Sequence, residues 1–401
     1  MLPKQENELL TRTRPGTPMG ELMRRYWIPA LLSEEIPEPD CPPVQVRLLG
    51  EELVAFRDSK GKIGLLEEHC SHRGTSLFYG RNEDCGLRCI YHGWKYDVEG
   101  KVLETPAEPQ GSDFKSKIQH TAYPTKEIGG IVFAYMGPKD KMPLFPNYEW
   151  TRVPLSHTYV TKCMLECNYL QGLEGECDKA HLSFLHITFD SKTEGDPAKE
   201  CTVPVYETEK TDFGVRLVVL RKMASGETYV TLNNFVMPVS GWLPHNNEVH
   251  FYVPIDDEHS WRYDLGFTRG RPVEKGRLHR GKQIGPDYRR IRNPSNQYLQ
   301  DREVQRRADF TGIEDFLNED SCATESMGAI YDRSSEHLGA SDEGIIAVRR
   351  FLLDAVKSLH HGLEPPHVIM DAAKNDFPQI VTRSKLVPPG QDWRDHFPNL
   401  A

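Results

Sequence analysis

The chain has no long apolar run. In its 401 residues the longest, around Ile128 to Met136, falls far short of the roughly 20 residues a membrane-spanning helix needs. A basic excess is missing too. Asp and Glu number 59 against 49 Lys and Arg, a formal charge of −10, and with no basic tail a nucleic-acid partner is not expected. The opening MLPKQENELLTRTRPG has no apolar core of the kind that marks a secretory signal. Nine cysteines, an odd number scattered along the chain, make no disulfide framework. They suit a reducing cytoplasm, where a cysteine with special chemistry is a metal ligand. There is no Gly-rich dinucleotide fingerprint, so NAD(P)H is not expected to bind here. Internal repeats and low-complexity tracts are absent as well.

What is present is a globular composition, 38% apolar, in a chain long enough to bury a large core and form two domains. Met19 to Leu32, MGELMRRYWIPALL, predicts a short helix cut by Pro29. From about Glu35, runs rich in Val, Ile and Leu alternate with Gly, Pro and Asp turns (VQVRLLG, ELVAFRD, KIGLLEEHC, GLRCIYHGWKYD, GIVFAYMG). This is the pattern of a compact antiparallel β module ending near Leu155. Beyond Ser156 the strand-like HTYVTKCM leads into a helix from Tyr169 to about Leu185. The strands GVRLVVLRK, ETYVTLNNFVMP, NEVHFYVPID and SWRYDLGF follow. Thr268 to Asn296 reads as a long irregular loop, the kind that is disordered or covers a pocket. Two helices close the chain, one near Ile313 to Ile330 and one over DEGIIAVRRFLLDAVKSLH. In the second, Ile345, Val348, Leu352, Val356 and Leu359 form one stripe, with Ser341 as N-cap. The layout is α+β: a helical N-terminal segment (1–34) packing on the last domain, an all-β domain (35–155) and a larger α+β domain (156–401).

The most specific signal is Cys70-Ser-His72, followed after sixteen residues by Cys89-Ile-Tyr-His92. Each half offers one thiolate and one imidazole on a tight loop. Two Cys and two His suit a tetrahedral zinc ion or a [2Fe–2S] cluster in which two His replace two Cys on one iron. Zinc motifs usually pair like ligands, whereas each loop here mixes them. A binuclear cluster suits that mixing, because each loop can give a Cys to one iron and a His to the other. Together with Arg73, Gly74, Gly93 and Trp94, these residues make C-x-H-R-G and C-x-Y-H-G-W, which resemble the Rieske family. Cys85 has the wrong spacing to join them and reads as a loop thiol.

The helix NYLQGLEGECDKAHLSFLH holds Glu174, Asp178, His181 and His186. At 100° per residue, positions 174, 178 and 181 share a face, while His181 and His186 point about 140° apart. They converge on one metal only where the helix ends or distorts between them. Two His and one carboxylate with open positions form the facial triad of mononuclear iron(II) oxygenases. The two motifs, about ninety residues apart, together resemble the large (α) subunit of Rieske non-heme iron ring-hydroxylating oxygenases, in a phthalate dioxygenase-like branch that also holds O-demethylases. That resemblance implies a Rieske [2Fe–2S] domain joined to a helix-grip (Bet v1/START-like) catalytic domain with a curved antiparallel sheet. It implies Cys70, His72, Cys89 and His92 as cluster ligands and His181 and His186 as iron ligands. Asp178 matches the carboxylate that bridges the cluster histidine of one subunit to the iron histidine of the next. Asp320 matches the third iron ligand, with Asp315 and Glu319 as competitors that only the resemblance separates from it. Glu174 is a weaker candidate, while Met327, Gly328, Arg333 and His337 read as packing or surface residues.

The strands GVRLVVLRK, TYVTLNNFVMP and EVHFYVPI are expected to wall an apolar substrate pocket. Arg216, Arg221, Asn233, Asn234 and His250 are their polar possibilities. The expected activity is that of a terminal oxygenase that takes dioxygen and two electrons to an aromatic compound. Cis-dihydroxylation of an aromatic acid leads, with oxidative O-demethylation of a methoxylated acid as the alternative. A non-catalytic electron carrier or a structural zinc protein would leave the second motif without a purpose. Electrons are expected from a separate reductase with flavin and its own iron–sulfur centre, and the resemblance implies a homotrimer or a hexamer.

Overall fold

The computed structural model describes residues 1–189, 195–273 and 283–398. Helices α1 (Lys4–Thr11) and α2 (Pro18–Met23) open the chain, and the side chain of Thr17 caps the second by accepting from Gly20 N–H. The helix expected to run to Leu32 ends at Met23, because Trp27–Leu32 is a strand, β1. Its last five residues are buried without a break, a run that fits a strand covered on both faces better than a helix with one wet side. Pro29 sits at a bulge in this edge strand, where a missing N–H is tolerated.

The β module follows as read from the sequence. Strands β2 (Val44–Leu48), β3 (Glu51–Arg57) and β4 (Ile63–Glu67) make one sheet, and β5 (Arg81–Glu83), β6 (Gly86–Arg88), β7 (Lys95–Tyr96) and β8 (Val102–Glu104) make a second. Strands β9 (Thr125–Ile128) and β10 (Ile131–Tyr135) join β1 in a third, in the order β1-β10-β9. Apolar residues of the third sheet and of one face of the first, such as Leu53, Ala55 and Leu65, merge with the main core. Val54, Phe56, Leu66, Leu77, Leu87, Trp94, Tyr96 and Val102 instead form a separate small core around Cys70 and Cys89.

The remainder is built on an eight-stranded antiparallel sheet. Its strands are β11 (Thr158–Leu165), β12 (Val205–Lys210), β13 (Gly214–Lys222), β14 (Thr228–Val236), β15 (Ser240–Leu243), β16 (Glu248–Pro254), β17 (Ser260–Phe267) and β18 (Arg383–Val387). Their order is β11-β17-β16-β15-β14-β13-β12, with β18 paired to β14. Strands β12, β15 and β18 are additions to the sequence reading. VYETEK and RSKLV are largely exposed and charged, and SGWL is only four residues long, so none carries a periodic apolar signal.

Helices α3 (Tyr169–Cys177), α4 (Pro197–Glu200), α5 (Arg302–Arg307), α6 (Phe316–Glu325) and α7 (Glu343–His360) complete the fold. The sheet grips two of them: α7 lies on β12 and β13, and α3 on β15 and β16. Helix α7 buries Val348, Leu352 and Val356 of the expected stripe, and α1 and α2 pack on it. Ser341 does not cap α7. A 3-10 turn, Ala340–Asp342, leads in, and the Asp342 carboxylate accepts from Gly339 N–H. Part of the expected long loop, 274–282, lies outside the described residues. Its described flanks are irregular and are anchored by Arg290, which pairs with the buried Glu325 of α6. Among the described residues no helix is long and apolar enough to cross a membrane.

Candidate functional site

The loops Cys70–Thr75 and Cys89–Trp94 share one plan. In each, the cysteine N–H donates to the carbonyl five residues on, Thr75 (2.9 Å) or Trp94 (2.8 Å). The glycine four residues on donates back to the cysteine carbonyl, Gly74 to Cys70 at 2.8 Å and Gly93 to Cys89 at 3.1 Å. Closing such a turn takes φ of +74° and +72° at the two glycines, a region open to glycine and costly for other residues. Both thiols are buried, and the Tyr96 hydroxyl stands 3.0 Å from Cys70 Sγ. Burial pushes the Cys89 thiol up, and the neighbouring Cys70 adds to the rise.

The imidazoles lie farther out. His72 and His92 are half-buried with ring centroids 4.5 Å apart, and His72 stacks on Trp94 at 4.7 Å. Among the described residues only one group brings three ligand atoms within 4.8 Å of one another, and it is not this one. Two thiols and two imidazoles that do not surround a single point fit a two-iron cluster better than one tetrahedral ion. Cys85 stands apart, at φ +59° in the tight turn between β5 and β6.

The group within 4.8 Å is His181, His186 and Asp320. Helix α3 ends sooner than the sequence suggested. Asp178 leaves helical geometry (φ −82°, ψ 123°), and its carboxylate accepts from Ala180 N–H at 2.7 Å, a local turn that competes with helix. A 3-10 turn over His181–Ser183 follows, and the two rings, expected to diverge on an unbroken helix, stand with centroids 5.3 Å apart.

Helix α6 supplies the carboxylates. Asp315 is its N-cap, accepting from Leu317 N–H, and so is spent on the backbone. Glu319 Oε2 lies 2.7 Å from His186 Nδ1, while its other oxygen accepts from Thr311 Oγ1 at 2.5 Å. Asp320 Oδ1 lies 3.0 Å from His186 Nε2 and 3.7 Å from His181 Nε2. Of the three late carboxylates, Asp320 is therefore the one beside both Nε2 atoms, and Glu319 takes the outer nitrogen of His186, the usual arrangement behind a metal-binding histidine. Burial opposes the charge of Asp320, but His186, His181 and Arg262 outweigh it and hold the carboxyl below its usual range. Asp178 Oδ2 lies 3.6 Å from His181 Nδ1, and Oδ1 takes a long 3.4 Å contact from the Tyr206 hydroxyl. Two imidazoles and one carboxylate oxygen, all within reach of one point, suit a single iron(II) with further positions open.

The triad faces a cavity of about 1380 Å³. Of the polar wall residues expected from sequence, Arg221, Asn233 and His250 line it. Arg216 and Asn234 lie on the other face of their strands, bonded to Glu209 and the Gln379 carbonyl and to the Val381 carbonyl. Glu174 is a packing residue, gripped by the buried Arg333 and by Arg349. Met327 and His337 border the cavity, and no described residue of the long loop does. Sequence reasoning missed Glu319 as a partner of His186, and it missed Arg262, whose Nη1 reaches Asp320 Oδ2. The inward alternation of β17, which places Arg262 and Asp264 on one face, was the available signal.

Residues 26–124 match the Rieske [2Fe–2S] domain family, and residues 134–399 match the family described as LigXa C-terminal domain like. The oxygenase subunit of phthalate 4,5-dioxygenase from Pseudomonas putida is 40% identical over 422 aligned residues, covering 99% of this chain and 95% of that one. This chain is a Rieske non-heme iron oxygenase. The oxygenase is also 35% identical to the oxygenase subunit of 3-chlorobenzoate-3,4-dioxygenase from Comamonas testosteroni, over 97% of its own length and 96% of the relative's. Its fold matches the crystal structure of dicamba monooxygenase bound to dicamba with a TM-score of 0.60 at 16% identity, covering 85% of this chain and 99% of the other. It carries a Rieske [2Fe–2S] domain, and the catalytic domain of this family binds mononuclear iron.

Proposed function

We propose that this oxygenase hydroxylates an aromatic carboxylic acid of the phthalate kind, adding dioxygen as a cis-dihydrodiol. The observation that carries the substrate class is Arg221. Its side chain lines the cavity, is almost wholly buried, and among the described residues bonds only neutral acceptors: Ser183 Oγ at 3.0 Å, Lys179 O at 2.6 Å and Cys201 O. Burial pushes this guanidinium down from its usual range against the pull of Asp196 and Asp178, and among the described residues no carboxylate is hydrogen-bonded to it. A buried cation whose hydrogen bonds among the described residues go to neutral acceptors favours an anion in the cavity. The relatives named for phthalate and 3-chlorobenzoate supply the matching class.

In this reading Cys70, His72, Cys89 and His92 hold the [2Fe–2S] cluster, and His181, His186 and Asp320 hold the iron(II). Bound, these groups supply one-electron transfer and the reductive activation of dioxygen. Glu319 fixes the proton on His186 Nδ1, and Asp178 Oδ2 faces His181 Nδ1 across 3.6 Å. Asp178 keeps a side chain 24% exposed, so it can also accept from an imidazole N–H of a second copy in a homotrimer or a dimer of trimers. Arg221 orients the carboxylate of the substrate. The domains we assign are an N-terminal segment (1–34), the Rieske domain (35–155) and the catalytic domain (156–401). The electron donor is a separate reductase with flavin and an iron–sulfur centre, and a reducing cytoplasm suits the nine free thiols.

The test is metal analysis followed by turnover of phthalate and substituted benzoates with a surrogate reductase under ¹⁸O₂. A cis-diol carrying both labelled atoms is expected, together with one iron beyond the cluster's pair. Formaldehyde from a methoxybenzoate with no diol from any acid would transfer the assignment to O-demethylation. Arg221→Ala should raise KM for the acid and leave a neutral aromatic unaffected, and equal effects on both would remove Arg221 as the anchor.

A further inference from the structure

The cavity face of β14 changes character along its length. Tyr229 and Thr231 are half-buried, Asn233 is 3% exposed, and Phe235, next on that face, belongs to the main core. The first three line the cavity and Phe235 does not. Asn233 is therefore the innermost polar side chain on this strand face, where cavity gives way to apolar core. Its amide is left over. Among the described residues Nδ2 has no hydrogen-bond partner. The register gives the reason. Asn233 pairs with Leu217 of β13, whose side chain offers no acceptor. On its other edge β14 changes neighbours at this point. Leu232 pairs with Arg383 of β18 and Asn234 with Trp242 of β15, and Asn233 itself pairs with neither strand. A buried N–H without an acceptor weighs against the fold, and a ligand that brings the acceptor removes that cost.

Arg221 stands at the outer end of the same wall. It pairs with Tyr229, so it leaves the sheet four residues away from Asn233 in register, roughly 13 Å at about 3.3 Å per residue. Val219 and Thr231, paired with each other, line the cavity between them. A cation and a neutral donor so placed select by length. Oxygens at opposite ends of a substituted benzene ring are about 7 Å apart, and a hydrogen bond of about 3 Å at each end brings the span to about 13 Å. A second carboxylate on the adjacent ring carbon stays at the Arg221 end. Because the inner donor is uncharged, it suits a neutral acceptor, and a carboxylate there would keep an uncompensated charge. We propose that Asn233 is a specificity-determining residue that donates to a neutral carbonyl or ether oxygen on the far side of the ring from the carboxylate. The preferred substrates are then para-substituted aromatic acids. The proposal rests on the reading of Arg221 as the carboxylate anchor.

The test is calorimetric titration of the full chain, loaded with cluster and Fe(II) and kept free of oxygen so that nothing turns over. The probe is 4-acetylbenzoate. Its control is 4-isopropylbenzoate, which has nearly the same outline and no acceptor, and benzoate reads the anchor alone. The unaltered chain should bind the acetyl compound about five- to tenfold more tightly than the isopropyl one, the worth of one hydrogen bond. Asn233→Leu, close in size and without a donor, should abolish that preference and bind benzoate as before. A preference that survives Asn233→Leu, or that the unaltered chain lacks, overturns the proposal. So does an equal loss of all three ligands, the mark of a merely structural role. If Asn233→Leu does not fold, Asn233→Asp decides, because it exchanges the donor for an acceptor: loss or reversal of the preference supports the proposal, and an unaltered preference ends it. Benzoate binding that is indifferent to Arg221→Ala refutes the anchor instead.

Discussion

The cluster loops take all four candidate ligands from one stretch, Cys70 to His92, whereas the candidate iron triad joins His181 and His186 to a carboxylate on Asp320, more than a hundred residues away. Each cluster loop is closed by its own backbone, with two main-chain hydrogen bonds and one left-handed glycine. The triad has no such local frame. Its histidines come together because α3 stops at Asp178. His186 and Asp320 are held by side chains from other elements, Glu319 and Arg262, while His181 faces Asp178, three residues before it. The cluster region also has a small core of its own, while α3, which leads to the triad, adds Leu173 and Cys177 to the main core. One site is therefore specified by turn chemistry and the other by packing, and the two should fail in different ways.

The sharpest way to separate them is Asp320→Ala, which should abolish turnover and remove the mononuclear iron while leaving the visible spectrum of the cluster intact. Bleaching of both centres together would show that the regions fold as one unit. Asp178→Asn should retain both centres by metal analysis yet lose most turnover, at least the roughly 10–100-fold seen when outer partners of metal ligands are altered. Normal turnover in that metal-replete protein would end the assignment of Asp178 as the link between the two sites. Glu319→Gln keeps the shape but not the charge behind His186. It should weaken Fe(II) binding by about tenfold in a chelator competition, with no change in cluster absorbance.

The smallest effect belongs to the glycines. Gly74→Ala and Gly93→Ala each force an L-residue into left-handed backbone, at a cost of about 1–2 kcal/mol. The second should cost more, since its Cβ would also meet Pro106 Cγ at 3.2 Å while that of residue 74 meets nothing. Thermal loss of cluster colour should move to lower temperature in that order. The unfolding of the large domain, followed separately, should stay where it is.

Most of the β framework was legible in the sequence, because β2, β3, β10, β13, β14, β16 and β17 carry apolar runs bounded by turn residues. Strand β1 was not, since WIPALL follows a true helix and its continuous burial looks the same in either state until β10 is beside it. Helix α1, KQENELLT, gave too short and polar a stretch to stand out. In the site, Cys70, His72, Cys89 and His92 announced themselves by spacing. The sequence also posed the problem of His181 and His186, two ligand-type residues that an unbroken helix would turn apart. The Asp178 carboxylate on Ala180 N–H answers it.

Local chemistry, written in the order of residues, was enough to mark the cluster loops and five of the eight strands of the main sheet. Which of three neighbouring carboxylates stands with the histidines was decided only when α6 met the turn after α3. Asp315 went to the helix end, Glu319 to the outer nitrogen of His186, and Asp320 to the point between the rings. The same is true of Arg221 and Arg262, one left among neutral acceptors and the other tied between two carboxylates. A ligand's type belongs to its side chain. Its partners belong to whatever the fold brings within about 3 Å, the reach of a hydrogen bond, and no spacing along the chain encodes that distance.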